Sequence, residues 1–219
     1  MAASAKPPEG NLSVVRMVLG PVQTNAYLVG NSDTLEAVVI DPAWDGAAIL
    51  QEAVRHGWRI SQIWLTHAHF DHFGGSAAVA DESRAPVALH PQDQPLWRFS
   101  GGAPLFGFPQ FDPGPEPTIS LEHGMILRLG DHEFEVRHTP GHTPGHVIFV
   151  ARRSGLALCG DLIFQGGVGR TDLPGGDWET LLRSIREEIL TLPDETQLLS
   201  GHGPETTVGA ERRLNPFLT

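Results

Sequence analysis

Apolar residues along the chain gather in short runs rich in valine, isoleucine and leucine, each closed by glycine, proline, aspartate or asparagine. Such runs read as β-strands. They predict strands over Val14–Leu19, Ala26–Val29, Ala37–Ile40, Ile60–Leu65 and Val87–Leu89, then over Met125–Leu129, Glu133–His138, His146–Val150, Leu156–Cys159 and Gln197–Leu199. Helical spacing predicts Gly46–His56, which Gly57 can terminate, a short helix near Ser76–Asp81, a turn of helix at Gln92–Trp97, and longer helices over Trp178–Leu190 and Glu205–Asn215. Gly130-Asp131 suits a two-residue hairpin, and Arg152–Gly155 is a second turn. Strands alternate with helices in two halves of similar layout, with no repeat at a fixed period. Sheets covered by helices on their outer faces give an α/β fold, a four-layer αββα sandwich.

Composition narrows the picture. With 219 residues, 40% of them hydrophobic, the chain has material for one buried core, so a single domain over 1–219 is expected, with 1–11 a loose tail. The formal charge is −11 with no basic run, which argues against nucleic acid. The lone cysteine, Cys159, excludes an internal disulfide framework and suits a reducing compartment. No segment approaches membrane-spanning length and the N-terminus lacks an apolar signal region, so a cytoplasmic setting is expected. The irregular stretch Phe99–Pro117 carries Phe99, Phe106, Phe108 and Phe111 among glycines and prolines. It is either packed onto the core or a partner, or a flap beside a substrate pocket.

Candidate chemistry concentrates in residues 64–75, WLTHAHFDHFGG, where His67, His69, Asp71 and His72 follow an apolar strand. Neutral imidazoles with a carboxylate suit borderline divalent metals such as zinc. The spacing is too tight for one helix face, so a loop that turns alternate residues apart can feed two metals. A solvated, histidine-rich turn is the plain alternative. Against it stand His142 in TPGHTPGH, Asp161 in ALCGDLIF and His202 in LLSGHGPE, each beside a short apolar run and flanked by glycine or proline.

From about Val14 to the C-terminus these residues resemble the metallo-β-lactamase superfamily, whose H-x-H-x-D-H pattern is followed by a distant His, Asp and His. The resemblance implies that His67, His69 and His142 surround one metal, that Asp71, His72 and His202 hold a second, and that Asp161 bridges both. Residues 160–177 and 201–218 resemble the short, single-domain branch of glyoxalase II-like hydrolases. That implies two divalent ions, zinc first, with iron or manganese also suitable, and a small-molecule thioester such as S-lactoylglutathione as substrate. Departures are the absence of a C-terminal helical domain with its basic residues, and a single tyrosine, Tyr27, far upstream. Metals so held provide hydroxide near neutral pH, with Asp71 and Asp161 as the catalytic carboxylates. Thioester cleavage ranks above lactam cleavage, because a thiolate leaves without a proton donor. Persulfide dioxygenase with one iron also fits, since Gly169–Asp172 spell that family's GRTD. Lactone or other ester hydrolysis is a further option, and a non-enzymatic scaffold is weakest.

Arg170, in the glycine-rich loop GGVGRTD, is the candidate for gripping a substrate carboxylate, against a reading in which it braces Asp172 or Asp177. Asp41, at a strand end before proline, is either a turn residue or a partner that fixes a ligand imidazole. His138 and His146 read as supports, Cys159 as a small buried hydrophobe, and His56, His90, His123 and His132 as surface residues.

Overall fold

In a computed structural model, residues 11–218 are described. Most of the expected tail lies outside them, but Asn11 does not dangle: its side chain bonds Asp33 and His132. The first six-stranded sheet runs β1 (Leu12–Leu19), β2 (Thr24–Asn31), β3 (Glu36–Ile40), β4 (Arg59–Trp64), β5 (Val87–Leu89), β6 (Ile119–Ser120) in spatial order. The second is built from β7 (Ile126–Leu129), β8 (His132–His138), β9 (Val147–Ala151), β10 (Leu156–Gly160), β13 (Gln197–Ser200) and β14 (Thr206–Thr207). Between β10 and β13 the chain adds a small hairpin, β11 (Ile163–Phe164) and β12 (Gly167–Val168). Helices α1 (Gly46–His56), α2 (Phe70–Phe73), α3 (Ser76–Ser83) and α4 (Gln94–Arg98) belong to the first half, α5 (Trp178–Ser184) and α6 (Val208–Leu214) to the second.

Strand alternation sorts the apolar residues into three cores, which is the αββα sandwich in physical form. In β3, Val38 and Ile40 face the inter-sheet core, whereas Ala37 and Val39 face the helices. In β9, Val147 and Phe149 point between the sheets, whereas Ile148 and Val150 point out. The inter-sheet layer is filled by Trp64, Phe134 and Phe149, whose rings meet at 5.2–5.3 Å. The α1 residues Ile49 and Ala53 and α3 residues Val79 and Ala80 cover the first sheet. The second is covered by Leu181, Ile185, Ile189 and Val208, with Cys159 buried among them as expected.

The Gly130-Asp131 hairpin forms, pairing Leu129 with His132. Other elements differ from expectation. The last helix begins at Val208, not Glu205, because Thr206 and Thr207 pair with β13 and Thr207 caps the helix by accepting from the Ala210 N–H. The helix expected over Trp178–Leu190 becomes a π-turn at Ile185–Ile189. The loop reading of the histidine motif holds only to His69, since Phe70–Phe73 form one helical turn.

Truncating Phe134, fully buried between the sheets, to alanine is expected to cost about 3–5 kcal/mol. Urea unfolding would register a lower midpoint at unchanged slope, and a loss under about 1 kcal/mol would contradict this core assignment.

Candidate metal centre

The site lies past the C-terminal ends of parallel strands, where loops can turn side chains toward one point. Parallel β3 and β4 lead to Asp41 and to His67, and parallel β10 and β13 lead to Asp161 and His202. The β8–β9 loop brings His142. The two sheets are stitched at this edge: Val147 N–H donates to Thr66 O at 2.8 Å, Asn25 N–H to Gly201 O at 2.7 Å, and Tyr27 OH to Ser200 O at 2.7 Å.

All seven motif residues converge. Ligand-capable atoms of His67, His69 and His142 lie within 4.8 Å of one another, as do those of Asp71, His72 and His202. Asp161 stands between the groups, with Oδ1 3.3 Å from His72 Nε2, and Oδ2 3.7 Å from His142 Nε2 and 3.6 Å from His202 Nε2. His69 Nδ1 and His142 Nε2 are 2.9 Å apart, near the roughly 3.3 Å edge of a tetrahedral shell with metal–nitrogen lengths of about 2.0–2.1 Å.

Hydrogen bonds behind the rings fix which nitrogen faces inward. His72 Nδ1–H donates to Asp41 Oδ2 at 3.0 Å. Thr66 donates its hydroxyl to Asp41 at 2.7 Å, so it accepts from His67 Nδ1–H at 3.0 Å. His142 Nδ1–H donates to Arg170 O at 2.7 Å. Each ring is left with an Nε2 lone pair directed into the site. A further convergent group, Asp41 with His67 and His72, serves as support, because Asp41 already accepts from Thr66 N–H, the Thr66 hydroxyl and His72.

The residues fit a cation. His67 Nε2, His72 Nε2 and Asp161 Oδ1 are buried without a hydrogen-bond partner, a condition that costs about 1–3 kcal/mol per group unless something satisfies it. Burial, with help from the surrounding imidazoles, holds His67 well below its ordinary pKa, and burial beside His142 takes His69 to about 3, so both rings offer lone pairs. At the other end burial opposes charge, yet Asp161 and Asp71 raise His72, and Asp71 and Asp161 raise His202. That end is electrostatically arranged for positive charge. Gly201 keeps room for it: a Cβ there would sit 2.3 Å from Asp161 Oδ1 and 2.7 Å from His72 Cε1.

Of the remaining expectations, Asp41 is the imidazole partner and not a mere turn residue. His146 is a support, with Nε2 accepting from Asp161 N–H at 3.2 Å and Nδ1 donating to Thr139. His138 donates to Pro144 O. His56 and His123 are exposed, but His90 and His132 are half-buried, since His90 stacks on His138 and His132 bonds Asn11. Both readings of the phenylalanine stretch find a place in it. Phe111 packs on the core, whereas Phe106 stacks on Phe70 at 5.3 Å and lines the cavity over the centre. The Arg170 side chain is exposed and grips Asp172 with two 2.7 Å hydrogen bonds, and its loop also lines that cavity. Asp93, absent from the sequence reading, is buried between two ligand loops. Its only signal was its place just past an apolar strand, as for Asp41.

The metallo-β-lactamase superfamily model matches residues 19–202, and the chain belongs to that superfamily. A "Probable metallo-hydrolase YqgX" of Bacillus subtilis is 42% identical over 93% of this chain and 96% of its own length. "Hydroxyacylglutathione hydrolase GloC" of Haemophilus influenzae is 37% identical over 90% and 93%. Among solved structures, the BLEG-1 B3 metallo-β-lactamase superposes with TM-score 0.88 at 42% identity, covering 94% of this chain and 99% of that one. TTHA1623 in a di-iron-bound form gives 0.85 at 43%, covering 94% and 100%. The chain is a metallo-hydrolase by this membership.

Gly201→Ala is expected to weaken divalent-metal binding by about 10-fold or more, the scale of effects on ligand-orienting neighbours. Chelator competition followed by elemental analysis measures this, and unchanged affinity would show that the close packing at Gly201 does not shape the centre.

Proposed function

We propose that this metallo-hydrolase cleaves small S-acyl thioesters, with S-lactoylglutathione as the type substrate, within one domain of 219 residues in a cytoplasmic setting. The observation that carries the reading is the lining of the cavity of about 200 Å³ over the centre. Beyond the metal-ligand candidates it offers Val22, Phe70, Phe106, Leu173 and Arg170, none of them a general acid. Such a site suits a leaving group that departs as an anion, and a thiol with a pKa near about 8.5 does so.

On this reading His67, His69 and His142 would hold one ion, Asp71, His72 and His202 a second, and Asp161 would serve both. Zinc is the first choice, and iron or manganese would also fit, the di-iron form of TTHA1623 being a precedent in that protein. The pair, when bound, supplies hydroxide near neutral pH and polarises the carbonyl. Asp71, fixed by the Thr24 hydroxyl at 2.8 Å, orients the attacking oxygen. Phe70 and Phe106 exclude water from one wall. Arg170 exchanges Asp172 for a carboxylate of the thiol carrier.

Elemental analysis at saturation is expected to give two ions per chain, whereas one would sink the binuclear assignment. Asp161→Ala should lose more metal and turnover than any change to a ligand of a single ion. Chelation should abolish thioester cleavage, and zinc, manganese or iron should restore it. Oxygen uptake with glutathione persulfide, and no thioester cleavage, would instead place the chain with the dioxygenases, as the GRTD segment allows. Arg170→Ala should raise KM for a glutathione thioester about ten-fold with metal content unchanged, the worth of one charge-assisted contact. Lower stability with unmoved KM would assign Arg170 to bracing the loop.

A further inference from the structure

Asp93 ends the 3₁₀ turn Pro91–Asp93 that follows β5, and its side chain is fully buried. One oxygen, Oδ2, accepts from Ala68 N–H at 3.0 Å and from the Thr143 hydroxyl at 2.7 Å. The other, Oδ1, accepts from Gly145 N–H at 2.6 Å. Ala68 lies between His67 and His69, while Thr143 and Gly145 follow His142. A single carboxylate therefore sets the distance between the two loops whose imidazoles form one convergent group. The approach is close: a Cβ on Gly145 would lie 2.6 Å from Asp93 N and 2.7 Å from its Oδ1. The same splint is clamped again outside, where the His90 ring stacks on His138 at 4.2 Å and His138 donates to Pro144 O at 2.8 Å.

We infer that Asp93 is a positioning residue for the ion held by His67, His69 and His142, and acts on that ion and not on its neighbour. The chemistry explains why a carboxylate is required. Three donors converge on Asp93, and two are backbone N–H groups that cannot turn away. Asparagine has one acceptor oxygen. If it serves Gly145, its NH2 faces Ala68 N–H, and if it serves Ala68, its NH2 faces Gly145 N–H. Either way one buried backbone donor is orphaned and the loops move apart at that point. No comparable link runs from Asp93 to Asp71, His72 or His202 among the hydrogen bonds of the described residues.

The inference rests on the two-ion reading of the centre, not on the substrate. Its test is a cobalt(II) titration against a competing chelator in Asp93→Asn, with the metal-free melting temperature recorded alongside. Two ligand variants, His69→Ala and His202→Ala, identify which binding step belongs to which ion. The step lost in His69→Ala is expected to weaken by about 10- to 100-fold in Asp93→Asn, with the step lost in His202→Ala within about two-fold of wild type. Equal weakening of both steps, or of neither, overturns the role while leaving the two-ion reading intact. A single step lost in both ligand variants overturns the two-ion reading and the selectivity with it. Should Asp93→Asn not fold, Thr143→Val removes one of the three contacts and is expected to weaken the same step by a smaller factor. An effect on the other step overturns the proposal there too.

Discussion

The centre depends first on Asp41. One buried carboxylate at the end of β3 accepts from Thr66 N–H, from the Thr66 hydroxyl and from His72 Nδ1–H, and through that hydroxyl it also governs His67. Two imidazoles are thereby forced into the tautomer that turns Nε2 inward, and β3 and β4 are locked together at their C-terminal ends. Backbone strain accompanies the role: Asp41 has φ 48° although a proline follows it, a setting that disfavours such conformations. The side-chain bonds to Thr66 and His72 and the backbone bond from Asp41 N–H to Trp64 O hold it there.

That constraint has force because the two sheets meet at one edge. Apolar alternation pins each strand's register, since a slip of one residue would send Val38 and Ile40 to the helix side and Ala37 and Val39 between the sheets. With register fixed, the strand ends are fixed, and so are the loops that carry the ligands. The core thus positions the site through the strand ends, with Ala68 of that core lying between His67 and His69.

The strands and the main helix α1 were legible because period-two alternation and glycine caps are local signals. Gly57 does end α1 in the left-handed region, at φ 68°. All seven convergent residues were legible too, since histidines and acids at that spacing have few structural uses. What escaped was either very short or dependent on contacts distant in the chain. The hairpin strands β11 and β12 and the strand β14 are only two residues each, too short to leave a period-two pattern, and β14 is defined by its pairing with β13. Phe70–Phe73 is helical although the motif read as open loop. Gly101 packs closely against that turn, where a Cβ would lie 2.3 Å from Phe70 N. Asp93 escaped for the same reason: a lone aspartate in a proline-flanked turn looks solvated, and only the fold brings three donors to it. Half-buried His90 and His132 were misplaced because their partners, His138 and Asn11, are distant in the chain.

The two ends of the centre differ in a way that bears on chemistry. Around His67, His69 and His142 burial lowers the pKa of all three rings, which are supported by Asp41 through Thr66, by Arg170 O and, at the level of the loops, by Asp93. Around His72 and His202 the balance is set by Asp71 and Asp161, whose charges raise both imidazoles despite burial. The carboxylate near the first group is Asp161, 3.7 Å from His142 Nε2, whereas the second has both Asp71 and Asp161 within 3.6 Å of its imidazoles. Asp41 and Asp161 serve both groups, so the difference between them comes from the remaining supports, Arg170 O and Asp93 behind the first and Asp71 beside the second.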